Sequence, residues 1–274
     1  PAPGGGAAGG GEKPRDMPLP TAPLARVGND APSRDARGAP SRRLQLAGTV
    51  AVLLLVEFAP WARAWGWMRL VLQRWPLRRV AGLRFAKVLG SGHEGGFGLR
   101  PSGSRQGLFL VFDDETSARR FVEDSPLVAR YRAHARECCV AILRAAASKG
   151  SWSGAAMLPT TTLPVDAPVA ALTRASIRPG RLAAFWRLSP PSEAALAAAP
   201  GCTLAVGLGE APLLRQCTFS LWESVAAMDA YARSGAHLQA VRCAYAGDYF
   251  AEAMFVRFAV LELSGCWKGR AHGA

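Results

Sequence analysis

The sequence predicts an α+β domain made of two β-α-β-β-α-β repeats that close into one barrel within a single chain. Three observations carry this. Short runs rich in Leu and β-branched residues alternate with longer stretches at helical spacing. The order of these runs in residues 46–155 returns in residues 156–268. The two stretches also share landmarks: Phe109 and Phe121 flank Glu115, while Phe219 and Tyr231 flank Glu223, and each aromatic pair is offset by 110 residues from the other. A β-α-β-β-α-β unit is ferredoxin-like, and two of them packed sheet to sheet give a dimeric-α/β-barrel-like domain.

The elements follow in order. Residues 1–45 are Pro, Gly, Ala and Arg without periodicity and are expected to be disordered. A transit-peptide reading is weakened by their Asp and Glu. Thr49 to Phe58 (TVAVLLLVEF) reads as a strand buried on both faces. Pro60 opens a helix that runs to Trp75, where Pro76 ends it. Leu83 to Leu89 is a strand, followed by a glycine-rich loop from Gly90 to Gly98. Gln106 to Phe112 is a strand. Asp113-Asp114-Glu115 suits a helix start, and that helix is expected to continue toward Ala135, before a strand from Cys138 to Leu143. In the second repeat Ala170 to Ile177 reads as a strand and Arg181 to Leu188 as a helix. Cys202 to Gly207 and Gln216 to Leu221 are strands, Glu223 to Ala244 one long helix, and Met254 to Leu263 the last strand.

Composition narrows the function. The chain carries 33 Lys and Arg against 20 Asp and Glu, a formal +13. Such a charge favours acidic partners, but Arg supplies nearly all of it, as a high-GC coding bias would. The basic residues are scattered, with no run beyond Arg42-Arg43 or Arg78-Arg79, so no nucleic-acid stripe is expected. None of the six cysteines forms a C-x-x-C pair, which argues for free thiols in a reducing compartment. Leu44 to Val56, the longest apolar run, stops at Glu57 and is too short to span a bilayer.

Several chemistries are excluded by their missing motifs. There is no P-loop, G-x-S-x-G elbow or H-E-x-x-H pair. Gly90 to Gly95 spells G-x-G-x-x-G, but Gly96, Gly98 and Pro101 break the helix that a dinucleotide site requires. Of the four histidines, His272 is near the end, His93 in a loop and His134 near a helix end. His237 lies within the long helix among Met228, Tyr231, Leu238 and Val241, with Gly235 leaving room for a flat ring. Two readings stand for it: a satisfied half-buried helix residue, or a neutral axial ligand to haem iron, which needs only one His. Trp61, Trp65 and Trp67 with Arg63, Arg69 and Arg74 form either a core-packed helix or an interfacial one.

Longer stretches carry a family likeness. Val88-Leu-Gly-Ser-Gly92, Gly95-Gly-Phe-Gly-Leu99, Arg105-Gln-Gly-Leu-Phe109 and Phe112-Asp-Asp114 resemble spheroidene monooxygenases. So do Gly150-Ser-Trp-Ser-Gly154, Ala171-Leu-Thr-Arg-Ala-Ser-Ile-Arg-Pro179 and Phe185-Trp-Arg187. Gly207-Leu-Gly-Glu-Ala-Pro-Leu-Leu-Arg-Gln216, Phe219-Ser-Leu-Trp-Glu223, Met228-Asp-Ala-Tyr231, Gly235-Ala-His237 and Met254-Phe-Val-Arg-Phe258 complete the likeness, in order, over residues 49–268.

The resemblance implies a carotenoid-biosynthesis enzyme of phototrophic bacteria that uses haem, molecular oxygen and reduced ferredoxin. It implies two hydroxylations at C-2 of a spheroidene-type carotenoid, giving the 2-ketone. The family is also similar in outline to barrel proteins whose helix His binds haem iron, which implies His237 as the ligand. Arg215 then becomes a candidate partner for a haem propionate, Trp222 a pocket wall, and Arg174 and Arg178 further candidates. The position of His93 is commonly basic in the family, so no ligand is implied there. A hydrocarbon substrate further implies a cytoplasmic enzyme in peripheral contact with the membrane, and no nucleic acid. The competing readings are a non-catalytic haem- or carotenoid-binding barrel and a metal-free barrel oxygenase.

Overall fold

The computed structural model describes residues 44–72, 75–96, 100–211 and 213–273. The expectation of disorder for residues 1–45 falls almost wholly outside them, as do Arg74 and Gly98. The elements are β1 (Leu44–Leu46), β2 (Val50–Phe58), α1 (Arg63–Leu72), β3 (Leu83–Gly92), β4 (Pro101–Phe112), α2 (Glu115–Asp124), α3 (Pro126–His134), β5 (Ala135–Gly150) and β6 (Ala155–Met157). They continue with β7 (Val169–Ile177), α4 (Leu182–Ala197), β8 (Cys202–Ala211), β9 (Arg215–Trp222), α5 (Val225–Ala232), α6 (Gly235–Ala246), β10 (Phe250–Trp267) and β11 (Arg270–His272).

Eight strands close into an antiparallel barrel in the ring order β10-β5-β2-β4-β3-β8-β9-β7, with β7 pairing back onto β10. Closing the ring gives each of the eight strands a neighbour on both sides. The seams between the two halves are unequal. β10 runs along β5 from Met254↔Gly150 to Gly265↔Cys139, whereas β3 meets β8 only at Gly90↔Gly209 and Ser91↔Leu208. β11 pairs with the end of β10, and β1 with β6 forms a short parallel ribbon.

The barrel explains the uninterrupted apolar run of β2, whose nine residues are all buried. Successive side chains of a strand alternate between faces. Ala51, Leu53 and Leu55 join the barrel interior, and Val50, Val52, Leu54 and Val56 pack beneath α2 and α3 with Phe121, Val122, Val128 and Tyr131. Leu53→Ala should therefore cost about 2–5 kcal/mol, read by chemical denaturation, because the packed ring cannot collapse into the space left.

The expected elements are present with three differences. The strands run longer: β3 continues through Gly90–Gly92, which the sequence assigned to a loop, and β5 reaches 16 residues and β10 18. The helix expected to run from Glu115 toward Ala135 is two helices, because Pro126 has no N–H to continue the ladder. Ser125 serves both, closing α2 through its N–H to Phe121 and capping α3 by accepting from the Leu127 N–H. The helix expected from Glu223 to Ala244 is also two. Ser234 is extended and Gly235 sits at φ +54°, a left-handed backbone that glycine adopts without steric cost. A Cβ on Gly235 would meet nothing within 4 Å, so the backbone, rather than a crowded ring, requires glycine there. In contrast, α4 passes through Pro190-Pro191 to Ala197. Ser192 Oγ donates to the Leu188 carbonyl within that turn, and Leu196 anchors the Ala-rich end by burial.

Candidate active site between the second-half helices and the sheet

Three spaces could receive a large apolar ligand, and packing eliminates two. The barrel interior is filled: Phe109 stacks on Trp152 with ring centroids 5.4 Å apart, and Phe85 and Phe258 close round them. What remains beside Leu46, Trp152 and Met254 does not admit a water molecule. The outer sheet face of the first half is sealed by α2 and α3 through a large buried cluster.

The second half differs. Its outer sheet face carries small or polar side chains, Ala171, Thr173, Ala205 and Thr218, all only part-buried. Across the 36 residues of α4, α5 and α6 only Leu196, Met228 and Ala244 are buried. Leu182, Phe185, Trp186 and Leu188 on α4 are apolar but remain half-buried. The helices bury a small cluster against this face, Val169, Leu196, Trp222 and Met228, with Ala171, Ala205 and Tyr231 packed on it, while Leu182, Phe185, Trp186 and Leu188 lie outside that cluster.

His237 lies in this layer, on the first turn of α6. Its ring stacks on Tyr231 at 4.6 Å, and Tyr231 lies 5.3 Å from the ring of Trp222. The Tyr231 hydroxyl donates to the Ser192 carbonyl on α4 at 3.3 Å, tying α5 to α4. Trp222 is 1% exposed, and its Nε1 donates to Ser220 Oγ at 2.9 Å. Neither ring nitrogen of His237 has a hydrogen-bond partner among the described residues. Burial holds its imidazole below the ordinary histidine pKa, so the ring is neutral near pH 7 and offers a lone pair.

The other candidates are placed elsewhere. Arg215 is exposed at the start of β9, and Trp222 is at its end, so the two are separated by about 23 Å of strand. Arg178 is exposed and pairs with Asp248. His134 stacks flat on Trp65 at 4.4 Å, with Nδ1 bonded to the Arg130 carbonyl, and belongs to the first half. His93 is exposed and His272 is buried on β11. Among the described residues no three His, Cys, Asp or Glu converge as a metal cage. The cysteines are free. Burial raises the Cys138 thiol to about 11 and the Cys139 thiol to about 12, which leaves both protonated.

Arg174 lies inside the barrel, in an ion cluster that the sequence did not reveal. Its Nη1 meets Glu252 Oε2 at 2.6 Å and its Nη2 meets Glu210 Oε2 at 3.0 Å. Lys87 pairs with the other oxygen of Glu210, and Trp152 Nε1 donates to Glu210 at 3.1 Å. Glu252 also accepts from Ser151 Oγ and from the N–H groups of Ser153 and Gly154, each at 3.0 Å. Desolvation pushes both carboxyls up, but these donors and cations outweigh it and hold each below its ordinary value. Bonded side-chain partners in this cluster lie 36 to 123 positions apart in the chain, so no local motif announces them.

No family profile matches the chain. Among solved structures an aldoxime dehydratase overlaps 83% of this chain and 88% of its own, at 11% identity and a TM-score of 0.49. Curated sequences are far more similar. A spheroidene monooxygenase of Rhodobacter capsulatus is 35% identical over 210 residues, covering 75% of this chain and 87% of its own. That of Rubrivivax gelatinosus is 54% identical over 231 residues, covering 84% of this chain and 90% of its own. Identity of this extent over nearly the whole barrel means that the chain belongs to the spheroidene monooxygenase family.

Proposed function

We propose that the protein is a haem-dependent carotenoid monooxygenase, with His237 as the axial ligand to iron. The observation that carries this reading is the neutral, unbonded imidazole of His237, stacked on Tyr231 among second-half helices whose apolar α4 side chains are only part-buried, with the small side chains of Ala171, Thr173, Ala205 and Thr218 on the sheet. A flat macrocycle needs that combination of a lone pair, small side chains beneath and apolar walls. Bound there, haem would supply activation of oxygen. Tyr231 would fix the plane of the imidazole by stacking, held in turn by Trp222 and by its own bond to Ser192. The apolar side of α4, with Phe185 and Trp186, would exclude water and receive a hydrocarbon chain.

The substrate named for the relatives, spheroidene, sets the chemistry. Two hydroxylations at C-2 would each insert one atom of O2 into a C–H bond. The second atom leaves as water, with two electrons drawn from reduced ferredoxin and two protons from solvent. The geminal diol then loses water to give the 2-ketone. Each half of the chain is read as a ferredoxin-like unit, the halves being residues 46–155 and 156–268. Among the described residues no helix is long and apolar enough to cross a membrane, so a membrane-borne substrate calls for peripheral contact.

The test is reconstitution with haem, followed by spheroidene turnover under O2 with reduced ferredoxin. A Soret band together with the 2-ketone is the expected result. A Soret band without product would leave a non-catalytic binding barrel; product without haem would leave a metal-free oxygenase.

A further inference from the structure

Helix α1 buries little of itself and leaves a broad apolar side exposed. Its only buried residues are Gly66 and Arg69. The Arg69 guanidinium packs inward over the rings of Trp65 at 5.3 Å and Tyr131 at 5.7 Å. Trp65 and Leu70 pack against the first-half core, but the other large apolar side chains are exposed: Trp67, Met68, Val71 (81%) and Leu72 on α1, with Trp61 (70%) just before the helix and Trp75 (64%) beyond it. These six make up most of the exposed large hydrophobic residues among the described part of the chain. A contiguous apolar surface of this kind marks a contact site.

A pocket of about 370 Å³ adjoins this face, lined by Arg63, Arg105, Arg136, His93, Glu57 and the Ser102–Ser104 turn. Arg63 is the first residue of α1, and Trp61 packs 5.1 Å from the ring of His134, two positions before Arg136. Glu57 is the single acid in the lining. It takes Nε and Nη2 of Arg105, each at 2.8 Å, and Nη2 of Arg136 at 2.8 Å. Three guanidinium groups against one carboxylate leave the pocket cationic, and Nη1 of Arg105 is buried with no acceptor among the described residues. A fork of guanidinium donors fits the oxygens of a phosphate.

We propose that α1 and this pocket form a docking surface for an anionic phospholipid bilayer. The Trp, Met, Val and Leu side chains enter the interface, and a headgroup phosphate is received by the exposed Arg63 and Arg136, with Arg105 adding positive charge behind them. Tryptophan is the side chain that favours the headgroup level. A second copy of the chain is a poorer occupant, since a two-fold contact would face one cationic pocket with another. This inference deepens the membrane contact in the proposed function and rests on that part of it alone.

The test uses the full chain, pelleted with vesicles of phosphatidylcholine, with and without phosphatidylglycerol. Wild type should bind the anionic vesicles preferentially. Arg63→Ala with Arg136→Ala should weaken that binding by roughly 25-fold, at about fivefold per cation near a charged surface, and should abolish the preference. Trp67→Ser with Val71→Ser should reduce binding to both compositions. All four positions are exposed, so the variants should keep the wild-type melting temperature. Failure of wild type to bind anionic vesicles, or variants that bind as wild type does, would overturn the proposal. Saturation by inorganic phosphate without vesicle binding would also overturn it, as would a dimer that the Trp67 variant dissolves. None of these readouts depends on haem or turnover, so a failed bilayer test with an intact Soret band would leave the oxygenase reading standing.

Discussion

His237→Ala should leave the reconstituted protein without the wild-type Soret band and reduce carotenoid turnover to background. The side chain is half-buried and makes no hydrogen bond among the described residues, so its removal should cost only about 1 kcal/mol of stability. A large loss of haem binding in a protein that still folds would separate a ligand from a packing residue. An unchanged band would move the ligand elsewhere, and the alternatives are disfavoured. His134 has its ring face covered by Trp65 at 4.4 Å, and burial keeps Cys138 and Cys139 as thiols. The pH dependence has a definite sign. Burial lowers the pKa of His237, so its neutral form persists below the ordinary value of about 6.5 and is lost only as the pH falls through the folded-state value. The wild-type spectrum should therefore hold steady on acidification to about pH 6.5.

Arg174→Ala should destabilise the barrel by about 3 kcal/mol, because it removes a buried guanidinium and leaves the part-buried carboxylates of Glu210 and Glu252 without their shared cation. For a domain of this size the melting temperature should fall on the order of 10 °C. Replacing the charges together, as in Arg174→Met with Glu210→Gln, should cost less than the single change, since the desolvation burden goes with the pair. Both carboxyls have folded-state values below their ordinary ones. Their contribution is therefore present above the ordinary carboxylate pKa and lost as the pH falls through the folded values. In Arg174→Ala that depression is weaker. The gap between wild type and variant should accordingly be widest near pH 7 and narrow below about pH 4. Urea unfolding at several pH values measures this; a gap independent of pH would assign the loss to packing alone.

The residues that were legible in the sequence are those whose partners are local. The continuous apolar run of β2 signals burial on both faces, and Asp114 marks the start of α2 because it caps the Ser117 N–H three positions on. The full lengths of β5 and β10 were not legible. Their ends, Arg144 to Gly150 and Ser264 to Trp267, hold small and polar residues of low strand preference, and pairing across the ring imposes the strand. His237 and Trp222 could be singled out, but Tyr231, which joins them, is defined only by three-dimensional stacking. The direction in which α1 faces was equally hidden. Its spacing allows either side to turn inward, and Arg69 decides by settling on Trp65 and Tyr131.

The two-rung seam between β3 and β8 makes the ring a clasp. Along β5 and β10 the halves are joined by a long ladder, but on the opposite side two residue pairs hold them, reinforced by Ser91 Oγ on the Gly207 carbonyl and by Lys87 on Glu210. Opening there breaks few bonds and leaves the core beneath α2 and α3 intact, so the barrel can breathe on one side while its hinge stays shut. Local opening along that line should register first as amide exchange at Gly90, Ser91 and Gly209.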